Sequence, residues 1–192
     1  MNFCSNCGAA VTLRIPAGDK LPRHVCDACN TIHYQNPKVV AGCIPVWEDR
    51  VLLCRRAIEP RAGLWTLPAG FMEKGETTLQ AAMRETLEEA GANVDIDGLC
   101  TLFNLPHIDQ VYVFYRGRLL DPHCTPGSET LELQLFREEQ VPWDDLAFRV
   151  IHETLKLYFS DRLTGRYRTY TGDIVRTAGV NAYRVHVVPQ EN

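Results

Sequence analysis

The sequence predicts an α/β domain preceded by a small cysteine-bearing segment. Three observations predict it. Runs rich in Val, Ile, Leu and aromatic residues alternate with two helical patterns between residues 37 and 160. Gly, Glu and Arg stand at fixed spacings within residues 64–92, around the first of those helices. Two C-x2-C pairs come before all of it. A chain of 192 residues, 45% hydrophobic and 23% charged, is long enough for one core of ordinary size and a satellite. The expected segments are residues 1–36, 37–160 and 161–192.

In residues 1–36, Cys4 and Cys7 form C-S-N-C, and Cys26 and Cys29 form C-D-A-C after an interval of 18 residues. That spacing suits a tetrahedral structural Zn2+ site, and small or turn-prone residues beside each pair suit the tight knuckles. The segment resembles a zinc ribbon. Four thiolates leave no open coordination position, so the zinc is expected to staple the fold rather than catalyse. His24 and His33 are expected to be exposed or packing residues, not ligands.

Residues 34–37, Y-Q-N-P, read as a junction. V-V-A-G-C-I-P-V-W and R-V-L-L-C-R-R then read as two strands joined through Glu48 and Asp49, with Cys43 and Cys54 as buried thiols. A loop with Pro60 and Gly63 follows. Arg55, Arg56 and Arg61 cluster here; a guanidinium fork suits a diphosphate, and Arg56 and Arg61 are candidate substrate contacts.

The second half of residues 64–92 reads as a helix. Thr77 and Gln80 form a capping box and Gly91 is a stop. With Glu85 at zero, Glu88 falls near ~300° and Glu89 near ~40°, so three carboxylates share one arc. Leu79, Ala82, Met83, Leu87 and Ala90 fall between ~60° and ~200°, an apolar stripe expected to face the core. Like charges so close repel unless a cation neutralises them, and hard divalent cations take oxygen ligands.

Gly70, Glu76, Arg84, Glu85, Glu88, Glu89 and Gly91 together spell G-x5-E-x7-R-E-x-x-E-E-x-G. This matches the signature of the Nudix hydrolases, with Thr86 and Ala92 at two positions usually aliphatic. The resemblance implies an α/β/α sandwich with a mixed sheet, and hydrolysis of a nucleoside diphosphate linked to another moiety. It implies Mg2+ or Mn2+ held by Glu85, Glu88 and Glu89, with a carbonyl near Ala69 or Gly70 completing a shell. Arg84 is expected to orient these acids, with Glu76 as its partner. The general base comes either from the helix, where Glu88 shares the cluster, or from a distant loop, where Glu129 and Glu132 are the candidates.

Beyond the helix, residues 94–105, 110–120 and 131–136 show strand-like alternation. A helix is expected after Asp144 and Asp145, either of which would cap it. Residues 161–192 hold five arginines and few apolar runs; an arm on a partner subunit or a partly ordered tail is expected. Phe103, Tyr112 and Phe114 are the aromatics available for base stacking, with Phe103 a candidate substrate contact.

The net charge of −4 gives no electrostatic footprint for nucleic acid. No run of eighteen apolar residues or charged leader is present, so a cytoplasmic protein without membrane contact is expected. Ribbon and signature together resemble NADH pyrophosphatases, but the S-Q-P-W-P-F-P stretch of that subgroup is replaced by C-T-L-F-N-L-P at residues 100–106. The expected substrates are therefore ADP-ribose or FAD, cleaved to release AMP. NADH is next, and mRNA-cap hydrolysis or oxidised-nucleotide sanitation stays open. A nucleotide-sensing or nucleic-acid-binding regulator is the alternative class, opposed by the intact set of glutamates. A homodimer is the expected assembly.

Overall fold

A chain that gathers four thiols must turn sharply beside each pair, and two left-handed residues make those turns. Gly8 (φ 76°) follows Cys7, and Asn30 (φ 55°) follows Cys29. Their amides donate to the carbonyls of Cys4 and Cys26, each at 2.9 Å. Between them run β1 (Val11–Arg14) and β2 (Arg23–Cys26), antiparallel, with β3 (Ile32–His33) beyond β2. The computed structural model describes residues 1–177 and 182–190. In it the chain divides into two units, Met1–Pro37 and Lys38–Asn192.

The second unit is built on a mixed sheet. Its strands are β4 (Lys38–Trp47), β5 (Arg50–Arg56), β6 (Trp65–Thr66), β7 (Ala69–Phe71), β8 (Val94–Leu105), β9 (Gln110–Leu119), β10 (Thr130–Phe136), β11 (Thr169–Arg176) and β12 (Tyr183–Gln190). Their order is β10-β5-β4-β9-β8-β11-β12, with β6 on β5 and β7 on β4. The β4–β9 and β8–β11 pairs are parallel. Helix α1 (Thr78–Ala90) and helix α2 (Arg149–Thr164) cover opposite faces. The run V-L-L-C in β5 is buried throughout because alternate residues serve two cores: Val51 and Leu53 join Ile151, Leu155 and Phe159 of α2, while Leu52 and Cys54 join Ala90 of α1. This is the α/β/α sandwich that the signature implies.

Pro45 stands inside β4, where a missing N–H would break a ladder. It falls where β4 changes partner, pairing β7 through Val40–Gly42 and β5 only from Val46. On its other side β4 stays paired with β9 through this position, Pro45 opposite Gly117.

Three expectations are corrected. The apolar stripe of α1 faces the core only through Ala82 and Ala90: Leu79, Met83 and Leu87 are 39%, 41% and 50% exposed, while Ala81, Thr86 and Glu89 are buried beside those two alanines. Full burial of such side chains is worth about 1.5–3 kcal/mol each. The helix forgoes part of that because its alanines allow close approach to Ala41, which carries Glu85 and Glu89 to the sheet. Neither Asp144 nor Asp145 caps α2; both lie in a 3-10 turn, and the N-cap is Phe148 without a side-chain bond.

The segment from residue 161, expected as an arm or a tail, contributes a strand to the sheet. Tyr170, Gly172 and Ile174 alternate as the buried face of β11, which joins β8 in the sheet. Asp161, 2% exposed, accepts from the Arg168 amide at 2.7 Å and the Tyr170 hydroxyl at 2.6 Å. That contact turns the chain leaving α2 back toward the sheet. The part of the expectation covering residues 178–181 and 191–192 lies outside the described residues.

Candidate active site

The site begins with the start of α1. The Thr77 hydroxyl accepts from the Gln80 amide at 3.2 Å and the Gln80 side chain accepts from the Thr77 amide at 2.8 Å, the reciprocal capping box. Gly91 ends the helix at φ 58°. Just before it, Glu76 accepts from the Glu73 amide at 2.6 Å and closes a turn at Gly75.

Arg84 ties the turn to the helix. Its guanidinium donates to both Glu76 oxygens at 3.1 and 2.8 Å, to Glu85 at 2.8 Å, to Glu88 at 3.0 Å and to the Phe71 carbonyl at 3.2 Å. These bonds pull the Glu76 carboxyl down to about 2. Arg84 thus acts on geometry, fixing strand end, turn and helix as one piece.

Gly70 explains itself once Glu85 is placed. A Cβ there would collide with a Glu85 carboxylate oxygen, so only glycine lets that carboxylate reach the backbone of β7. Glu89 reaches the same strand, accepting from the Ala69 amide at 3.2 Å. Burial pushes the Glu89 carboxyl up to about 8, and burial also raises Glu85. Glu88 stays exposed, facing Arg84. The three acids share one side of α1 without meeting at one point.

Of the two candidate bases, Glu129 lies in the field of the acids and raises both Glu85 and Glu89. The loop that brings it there docks on the end of α1: the amides of Thr125 and Gly127 donate to the carbonyls of Ala90 and Glu89, both at 3.0 Å. Gly127 is obligatory, since a Cβ there would meet the Glu88 carbonyl. Glu132 is instead paired with Arg55 at 3.4 Å on the exposed surface of β10.

A cleft of about 770 Å3 opens beside these acids, its wall including Ala69 and Gly70. Arg56 and Arg61 both line it, the Arg56 guanidinium 5.2 Å from the centre of the Phe148 ring. Phe103 does not line it. It is fully buried under α2, with no face free for a ligand, as is Phe114. Its aromatic lining is instead Phe71, Tyr112, Trp143, Phe148 and Tyr183. Trp143 and Phe148 lie in a connecting segment far along the chain, and no spacing in the sequence ties them to the acids. Gly127 lies in the run P-H-C-T-P-G-S-E-T, where no spacing ties it to α1.

The donors of α1 and β7 are all oxygens, two of them on carboxylates that burial disfavours as bare charges, which fits a hard divalent cation. Among the described residues, Cys4, Cys7, Cys26 and Cys29 form the one group whose ligand atoms converge, all within 4.8 Å of one another. Cys4–Cys29 and Cys7–Cys26 are 3.7 and 3.4 Å apart; a tetrahedron with Zn–S bonds of ~2.3 Å has edges of ~3.8 Å. The cysteines fit a structural zinc. His33, expected to be exposed or packed rather than a ligand, places Nε2 3.3 Å from Cys4 Sγ, a contact that steadies a thiolate from outside the ligand set.

Two family models match the chain: Nudix N-terminal over residues 2–35 and NUDIX domain over residues 36–158. The crystal structure of a NUDIX hydrolase from Nitrosomonas europaea superimposes with a TM-score of 0.89 at 57% identity, covering 92% of this chain and all of that one. The ADP-ribose pyrophosphatase of Methanocaldococcus jannaschii is 34% identical over 113 residues, 57% of this chain and 67% of that protein. The NAD-capped RNA hydrolase NudC of Photobacterium profundum is 38% identical over 96 residues, 48% of this chain. The matched part spans a third of that relative's length.

Proposed function

The chain belongs to the Nudix hydrolases, and on that premise we propose that it cleaves the pyrophosphate bond of a nucleoside diphosphate linked to another moiety, ADP-ribose or FAD first, releasing AMP. The observation that carries this reading is the seating of Glu85 and Glu89 against Ala69 and Gly70, at the wall of an arginine-lined cleft. Glu85, Glu88, Glu89 and the Gly70 carbonyl would hold Mg2+ or Mn2+, which when bound polarises phosphoryl oxygens and lowers the pKa of water. Arg56 and Arg61 offer guanidinium forks to the phosphate oxygens. Glu129 takes the proton of the attacking water as the new P–O bond forms, and the bond to the bridging oxygen breaks.

NADH is the next substrate, supported by the ribbon and by the relative named as an NAD-capped RNA hydrolase. We place the enzyme in the cytoplasm as a homodimer. All eight cysteines are unbridged, in keeping with a reducing compartment, and Leu79, Met83 and Leu87 offer an apolar surface on α1.

The test is turnover of ADP-ribose, FAD, NADH, dinucleoside polyphosphates and 8-oxo-dGTP with Mg2+ or Mn2+, scored by AMP release. No turnover of any of them would favour the nucleotide-sensing alternative. Glu129→Gln should lower kcat by about 10²–10⁴-fold, the range of a general base, with the Mg2+ concentration for half-maximal rate unchanged. An unaltered kcat would return the base to α1.

A further inference from the structure

The match to the NUDIX domain model ends at residue 158, yet the cleft does not. Its far wall is made by the hairpin of β11 and β12, which supplies Ile174, Arg176 and Tyr183. From Gly70 on β7 to β11 the cleft crosses four inter-strand steps, about 19 Å. It therefore has two ends. On the side of the acids, Phe71 follows Gly70 on β7 and Phe148 lies against Arg56; at the other end Tyr183 packs on His107, ring centres 5.7 Å apart and inclined at 56°. Tyr183 is 36% exposed, so part of its ring is open to a ligand. Arg176, directly across the hairpin from Tyr183, has no ion-pair partner among the described residues.

We propose that this hairpin is a second stacking wall, and that the substrate preferred by this chain carries a planar ring on each side of its diphosphate. Aromatic side chains at both ends of one cleft suit a dinucleotide better than a nucleotide sugar, whose distal half has no π-face. Arg176 faces that distal half and stacks or hydrogen-bonds with it. The inference rests on the hydrolase reading for the diphosphate between the two rings, and so selects FAD and NADH over ADP-ribose.

Calorimetric binding of FAD, NADH and ADP-ribose, without divalent cation, separates the two claims. Tyr183→Ala should weaken FAD and NADH about tenfold, within the range for loss of one base–aromatic stack, and leave ADP-ribose within twofold. Tyr183→Phe should bind all three as the wild type does, which excludes a misfolded hairpin. Under turnover with Mg2+, the same loss should appear in KM and not in kcat. Equal weakening of all three ligands by Tyr183→Ala, no weakening, or no binding of the dinucleotides by the wild type would each overturn the stacking wall. Binding with the expected discrimination but no AMP release would leave the wall standing and remove the hydrolase reading.

Discussion

Glu89→Gln should abolish hydrolysis by about a thousandfold and leave the metal-free protein at least as heat-stable as the wild type. The first half follows from the role proposed for the carboxylate. A bound cation contributes several kcal/mol of transition-state stabilisation, and about 1.4 kcal/mol is a decade of rate. The second half follows from where the group lies. Glu89 is 9% exposed, and the one hydrogen bond its carboxylate makes among the described residues comes from the Ala69 amide, from which a glutamine oxygen accepts equally well. Burial raises the carboxyl from 4.5 to about 8, so the fold favours its protonated form. A carboxyl raised in this way leaves stability intact below pH 4.5 and erodes it as pH climbs toward 8, because the unfolded chain ionises first. The metal-free wild type should therefore lose Tm between pH 5 and pH 8, and Glu89→Gln should lose less. Added Mg2+ should raise the Tm of the wild type at pH 8 and not that of the variant. Scanning calorimetry at the two pH values, with and without Mg2+, reads all of this. A variant that melts well below the wild type without metal would mean that the charge itself holds the fold.

That trade explains which parts of this molecule were legible in its sequence. The glutamates, Arg84, Gly70 and both ends of α1 were legible because local chemistry dictates their spacing: a capping box, a helical arc, a glycine where a carboxylate needs room. The same arc misled when turned to packing. Leu79, Met83 and Leu87 look like a core stripe by periodicity, but the helix is rotated to bring its acids to β7, and periodicity carries no term for that demand. Phe103 shows the second kind of limit. A strand aromatic faces either the core or a ligand, and what decides is which strands and helices cover it; here α2, more than forty residues later, covers Phe103 completely. Trp143, Phe148 and Tyr183 meet around one cleft only through the order of the strands. The hairpin at the end of the chain escaped for a plainer reason. Its buried face is Tyr170, Gly172 and Ile174, too sparse in apolar residues to stand out among the arginines, and β11 is secured by the buried Asp161 contacts.

Stripping zinc should unfold residues 1–37 and leave the second unit folded. The first unit has almost no core: Cys4, Pro16, Val25 and Cys26 are its buried residues, and two of these are thiol ligands. A segment below about 40 residues rarely folds without a metal or disulfides, and a structural zinc supplies on the order of 10–16 kcal/mol of apparent binding energy that is spent on folding. Nothing else in this unit approaches that figure. Of its ion pairs, Arg14–Asp27 is exposed, where such pairs are worth about 0–1 kcal/mol, and Arg23–Asp19 is a single partly buried contact between neighbouring turns of chain. The second unit rests on the sheet and on the buried side chains of α2, none of which a chelator touches. One zinc per chain should be found by metal analysis. A strong chelator, or Cys26→Ser, should expose residues 1–37 to proteolysis while the amides of β4, β8 and β9 keep their protection from hydrogen exchange. Protection of the β1–β2 amides after the zinc has been removed would show that the four thiols are stapled by something else, and the assignment of the metal would fall with it.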